Sequence, residues 1–302
     1  MKGSIKMKTN ERIIENIIRI SAAASVAAVA LITVFIFITG MPVIAKTGLY
    51  NFVTGTDWSP TAGIYGILPL IAGSLAVTLG ALVIGIPTGV GCAVFLAEVA
   101  GKRSAGIFKS AIELLAGIPS VVYGFFGLIV LVPAIRTYIV PLVQKFNPDV
   151  STSGFSILAG ALILAMMILP TIVSVSENAI SSVPQDYREA SLALGADRRE
   201  TITKVILPAA RSGIFASIIL GMGRAIGETM AVLMITGNVA VLPKSLLDPV
   251  ATMTGTIAME MSYASPSHKE ALFAVGIILF IIIVLLNTVA QAVMKRFGGA
   301  AS

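Results

Sequence analysis

Apolar runs long enough to cross a bilayer alternate with short polar segments along the chain. Six runs stand out, at about residues 20–39, 65–96, 107–132, 154–175, 213–236 and 271–293. A hydrocarbon core roughly 30 Å thick takes about 20 helical residues to cross, so each run predicts a membrane-spanning helix. The second run is longer than needed and holds Pro69, Gly80, Gly85 and Pro87, which predicts a tilt or kink. The third is interrupted at Gly117-Ile118-Pro119. A polar segment, 1–19, precedes the first run. Loops at 41–64, 134–153 and 237–269 alternate with the polar segments 98–104 and 177–211, and 251–261 is a candidate for partial re-entry into the membrane.

The 177–211 segment contains the clearest local pattern, SVPQDYREASLALGADRRETITKVILP from Ser182 to Pro208. Ser182 with Gln185 three residues on fits a capping box, with Pro184 in the first turn, and Gly195 ends the helix. Asp197 with Glu200 repeats the cap signature. Two short helices joined by a tight turn are predicted, the first with Tyr187, Ala190, Ser191 and Leu194 along one face.

Composition settles the class. The 302 residues are 56% hydrophobic and 12% charged, far below the roughly one quarter of charged residues in a soluble domain. The reading is an all-α polytopic membrane protein with residues 20–302 as its transmembrane part. Fifteen of the 21 Lys and Arg lie in segments 1–19, 98–109, 177–211 and 295–296, five lie in the alternate loops, and Arg224 is left within a span. The positive-inside rule then places both termini and the polar island in the cytoplasm. The net charge of +6 is explained by that topology, and no basic patch interleaved with aromatics points to nucleic acid. The first span is longer than a signal-peptide apolar region and is read as retained, although Val43-Ile44-Ala45 mimics a cleavage site. One Cys and one His offer no disulfide and no zinc or haem cluster. Without a G-x-S-x-G, an HExxH or a paired acidic cluster in the spans, the chain is read as non-catalytic, and without a G-x-x-x-x-G-K-[ST] it is not expected to bind ATP itself.

Glu189, Ala190, Gly195, Leu207 and Pro208 stand at the spacing E-A-(x4)-G-(x11)-L-P, with Ser191 where a second Ala is commoner. This resembles the motif of ABC-importer permeases and implies the six-helix MetI-like fold. It also implies that the loop fits a groove of an ATPase subunit, with Arg188, Glu189, Arg198 and Arg199 as orienting charges. Three further stretches, Asp57-Trp58-Ser59-Pro60 with Tyr65 to Leu70, Glu113 to Gly124, and Gly223 to Thr229, resemble phosphate-importer permeases of the PstC type and are shared in part with the PstA type. The resemblance implies a bacterial or archaeal inner-membrane location. It also implies a second permease (PstA type), an ATPase dimer (PstB type) that binds ATP and Mg, and an extracytoplasmic phosphate-binding protein (PstS type). Another oxyanion, another small solute or an autonomous secondary transporter stay open as alternatives.

Arg224 lies near the middle of the fifth span, and Glu228 is placed one turn on along the same face. A mid-membrane charge costs about 2.5–3.5 kcal/mol, so the two are expected to face the protein interior or a water-filled cavity. They are read either as a substrate path, with Arg224 offering a planar fork to an oxyanion and Glu228 orienting it, or as a pair that locks two helices. Gly223 and Gly227 suggest close packing of a neighbouring helix. Lys109 and Glu113 are expected to pair, Trp58 to sit at the membrane interface, and His268 to be a solvated loop residue.

Overall fold

The computed structural model describes residues 9–148 and 151–298. Residues 1–8 of the expected N-terminal segment, including Lys2, Lys6 and Lys8, lie outside the described residues, as do 149–150 of the 134–153 loop. The helices, in order, are α1 (Thr9–Thr47), α2 (Leu49–Thr54), α3 (Leu68–Val94), α4 (Lys102–Gly117), α5 (Ser120–Gln144) and α6 (Ile157–Ser181). They continue with α7 (Gln185–Ala193), α8 (Arg198–Gly227), α9 (Met230–Ile235), α10 (Met253–Glu260) and α11 (Pro266–Gly298). Between α2 and α3, strands β1 (Trp58–Ser59) and β2 (Ile64–Tyr65) form a two-stranded antiparallel hairpin. Among the described residues six helices, α1, α3, α5, α6, α8 and α11, are long and apolar enough to cross a membrane.

The third crossing differs from the expected span 107–132. Pro119 disfavours helix at the residue before it, and Ile118 and Pro119 are both extended. The chain breaks there, so Lys102–Gly117 is a separate helix and the crossing is α5. Lys109 on α4 pairs with Glu177 of α6 at 3.1 Å rather than with Glu113. Helix then continues to Gln144, through much of what was expected to be a loop.

Four π turns interrupt these helices: Phe95–Val99 directly after α3, Gly127–Leu131 and Ile135–Ile139 within α5, and Ile202–Ile206 within α8. Three of them are followed, two residues on, by Pro133, Pro141 and Pro208. A proline lacks the N–H for the carbonyl four residues back and its ring collides with it. A widened turn moves that carbonyl aside, so the helix continues past the proline.

The centre of the bundle is α3 against α6. Gly85 and Gly89 of α3 lie so close to α6 that a β-carbon would meet Ile168 Cδ1 at 2.9 Å and Ile172 Cγ2 at 2.7 Å. Close approach of this kind is how apolar helices associate in lipid, where no hydrophobic effect drives them together. Helix α8 joins the same core, and the buried hydroxyls of Ser176 and Ser217 satisfy each other at 2.8 Å.

Two smaller clusters close the ends. Leu70 near the start of α3 packs with Val43, Phe52, Met253 and Val275, whereas Ala93 in its last turn and Leu96 just beyond pack with Val173, Ile180 and Ile206. Since the 27 residues of α3 span about 40 Å, these clusters lie at opposite ends of the bundle. In the first, Trp58 donates its indole N–H to Glu260 at 3.1 Å and His268 Nε2 bonds the same carboxylate at 2.7 Å. The expectation of a solvated His268 is thereby corrected. Pro266 opens α11 five residues before the expected apolar run at 271, and His268 is buried in its first turn. Helix α1 packs on α11, with Phe35 against Phe273 and Phe37 against Phe280, while its end at Val43 and Ile44 joins the cluster around Leu70.

Candidate functional site

Helices α7 and α8 meet at Gly195, whose φ of 88° lies in the left-handed region where glycine carries no side-chain penalty. Ala196 N–H donates to Ser191 C=O at 3.2 Å and Gly195 N–H to Leu192 C=O at 3.0 Å, the two bonds of a Schellman cap. The next helix starts with the expected capping box: Glu200 N–H donates to Asp197 Oδ1 at 2.7 Å, and Asp197 N–H to Glu200 Oε2 at 3.3 Å. The cap predicted at Ser182 is absent. Its backbone continues the end of α6 and its hydroxyl donates to Asn178 C=O at 2.7 Å, while Pro184 is the cap residue of α7 and makes no side-chain bond.

This turn stands out from the bundle between two clefts. Tyr187, Ala190, Leu194 and Val205 line one of about 500 Å³ together with Ser191, Glu200 and Lys204. Tyr187 also borders a second, of about 650 Å³, with Val183, Pro184, Pro208 and Arg211. Leu194 is 90% exposed and Tyr187 and Leu192 are half exposed, an apolar surface on a polar loop that a partner would cover. Glu189 and Ala190 are exposed beside it, and Glu189 makes no ion pair among the described residues.

Not every residue of the spacing motif faces outward. Ser191 is buried with its hydroxyl 2.9 Å from that of Thr201, which fastens α7 to α8. Arg188, expected to be an orienting surface charge, points inward: Nε and Nη2 donate to Glu98 Oε1 at 3.1 and 2.6 Å, and further bonds reach Val183 C=O and Ile180 C=O. Arg198 donates to the Glu98 carbonyl oxygen, and Arg199 is exposed. Leu207 packs on the end cluster and Pro208 is exposed just past its π turn. Glu98 and Thr201 escaped the sequence reading. The only signal for Glu98 is a lone acid at the end of an apolar run, and its partner lies 90 residues away.

The second candidate site is at the far end of α8. Arg224 lies 13 residues, or about 20 Å, beyond Arg211 and is exposed. The expected arrangement of Arg224 and Glu228 does not form. Helix α8 ends at Gly227, Glu228 is extended at φ −68° and ψ 133°, and no ion pair joins the two among the described residues. Glu228 instead uses Oε1 to accept Ala231 N–H at 3.2 Å, and its carbonyl accepts the Thr254 hydroxyl at 2.9 Å, so it holds the break between α8, α9 and α10. A β-carbon on Gly223 or Gly227 would meet nothing within 4 Å, so among the described residues no helix packs closely against them.

Residues 85–299 match the family of binding-protein-dependent transport system inner membrane components. The chain belongs to that family. This permease is 40% identical over 271 residues to the probable ABC transporter permease protein YqgH of Bacillus subtilis, covering 88% of this chain and 84% of that one. It is 36% identical over 255 residues to the phosphate transport system permease protein PstC of Xylella fastidiosa, covering 82% and 79%. Among solved structures the permease fold superposes on the bacterial alginate ABC transporter with TM-score 0.58 at 15% identity, over 95% of this chain and 98% of that one. It superposes on the MetNI methionine ABC transporter with TM-score 0.54 at 17% identity, over 80% and 99%. The permease is thus an ABC-importer subunit with the six-helix MetI-like fold and a multi-pass protein of the inner membrane.

Proposed function

We propose that this permease is the PstC-type subunit of an ATP-driven importer of inorganic phosphate. It lines the path with a PstA-type permease, docks a dimer of PstB-type ATPases through the turn around Gly195, and receives phosphate from a PstS-type binding protein. Both termini and the α7 turn then lie in the cytoplasm, as the distribution of Lys and Arg supports. The observation that carries the substrate reading is the match to PstC proteins over about four fifths of the chain.

The chemistry of α8 is compatible with it. Arg224 is a permanent cation on a membrane helix with no ion pair among the described residues, so within the assembled path it faces the second permease or water. There its planar fork can bond two oxygens of a passing oxyanion. Glu228, occupied at the break, shapes the path by holding the backbone of α8 and α9 and does not orient Arg224. A different oxyanion is the second reading, because the YqgH name carries no substrate. Uptake of labelled phosphate at micromolar supply, in cells lacking this chain and in the same cells supplied with it, decides between them. Restored phosphate uptake supports the proposal. Unchanged phosphate uptake together with lost uptake of sulfate or another solute removes it.

A further inference from the structure

We propose that Glu98 is the positioning residue that passes movement of the α7 turn to the transmembrane core. Its carboxylate, gripped by Arg188, ties α7 to the end of α3. The inference rests on the docking role given to α7 above and says how a push on that helix reaches the membrane.

Three observations carry it. The Arg188–Glu98 pair is largely enclosed, with side chains 16% and 11% exposed, whereas the Lys204–Glu200 pair nearby is 71% and 45% exposed. Among the described residues it is the one ion pair that joins α7 to another helix or its end. The same guanidinium also donates to Ile180 C=O at 3.1 Å and Val183 C=O at 2.6 Å, so it holds carbonyls at and just past the end of α6. One side chain of α7 therefore holds the ends of both α3 and α6.

Those two helices are the tightly packed centre of the bundle, with Gly85 and Gly89 in contact distance of Ile168 and Ile172. They are packed as one body, and α8 is joined to them by the Ser176–Ser217 bond. Without the clamp, α7 would still be linked to α6 through the short segment Ser182–Pro184, and to α8 through the Gly195 turn and the Ser191–Thr201 hydroxyl pair. A displacement would then be taken up in the linker.

The third observation is the π turn Phe95–Val99 that contains Glu98. The other three π turns each precede a proline that accounts for them, and this one does not. π turns not forced by a local residue mark places where the backbone is set for function or packing. Here the turn presents the carboxylate to Arg188 and the carbonyl of the same residue to Arg198, on the two sides of Gly195. Spatial continuity is not itself coupling, so the measurement must be of energy transfer.

The test uses the full complex of both permeases, the ATPase and the binding protein in proteoliposomes, and reads phosphate taken up per ATP hydrolysed. Glu98→Gln is expected to assemble, to hydrolyse ATP within twofold of the wild-type rate, and to lose at least tenfold in uptake per ATP. Glu98→Asp, which keeps the charge, should recover part of that yield, as should the exchange Glu98→Arg with Arg188→Glu. An unchanged yield in Glu98→Gln overturns the proposal. If Glu98→Gln fails to assemble, Arg188→Lys keeps the charge and loses the fork. A lowered yield in that variant supports the clamp, and a normal yield, or a second failure to assemble, shows a brace of the fold and overturns it. The docking role is separable. Should Gly195→Asp still hold the ATPase, that role falls and the clamp with it; should Gly195→Asp release the ATPase while Glu98→Gln keeps a normal yield, only the clamp falls.

Discussion

In α7, Arg188 is enclosed by Glu98 and two carbonyls, while its neighbour Glu189 is exposed and without an ion pair among the described residues. Glu189 is therefore free to meet a partner. Reversing its charge in Glu189→Lys is expected to weaken ATPase co-purification at least several-fold and to lower uptake, with the chain still inserted. Gly195→Asp should do the same more strongly, because the left-handed backbone costs a residue with a β-carbon about 1–2 kcal/mol and a carboxylate then stands on the docking face. Pull-down of the ATPase with membrane fractionation reads both. At the opposite end, Glu260→Leu leaves the Trp58 indole and His268 without their acceptor, about 1–3 kcal/mol for each buried donor left unmade. The purified chain should melt at lower temperature. The turn at Gly195 and the Asp197–Glu200 box were legible because cap chemistry is local. The partners of Lys109 and Arg188 were not, since they lie 68 and 90 residues away and only packing selects them.

At the scale of elements, the apolar runs foretold six crossings, but their limits depended on what prolines do in context. Pro119 ends a helix, while Pro133, Pro141 and Pro208 sit within one because a π turn precedes each. The sequence shows the prolines and not the turns, which is why the 134–153 loop was read where α5 continues. The long fifth span was over-read for a related reason: apolar residues run on to Thr236, and nothing in Gly227-Glu228-Thr229 declares the break that Thr254 holds from another helix. The contact of α3 with α6 gives a sharp expectation. Gly89→Leu forces a side chain into the space of Ile172, and overpacking of this sort costs about 1–3 kcal/mol. Membrane abundance and resistance to denaturant should both drop, while the neighbouring Gly91→Ala, which meets nothing within 4 Å, should change neither.

At the scale of the molecule, Arg224 is an exposed charge on a membrane helix with no ion pair among the described residues. Arg224→Gln is expected to lower phosphate uptake at least tenfold with assembly and abundance preserved, measured by transport assay and by quantifying the complex. Because Glu228 caps the break and does not pair with Arg224, exchanging the two charges is not expected to restore transport. Family and crossing number were legible from composition and one spacing motif, and the separation of that supposed pair was not, because it follows from a backbone break.

The seating of α1 on α11 also sets the timetable of biogenesis. Its aromatic contacts are Phe273 and Phe280, residues made more than two hundred positions later. At roughly 5–20 residues per second the stretch around Phe35 and Phe37 waits on the order of 10–50 s in the bilayer for these partners. Ribosomes stalled before Pro266 should leave a photoreactive group at Phe35 linked to lipid or insertion machinery. Release of full-length chain should transfer that label to α11, and early capture by another helix would show a different order of assembly.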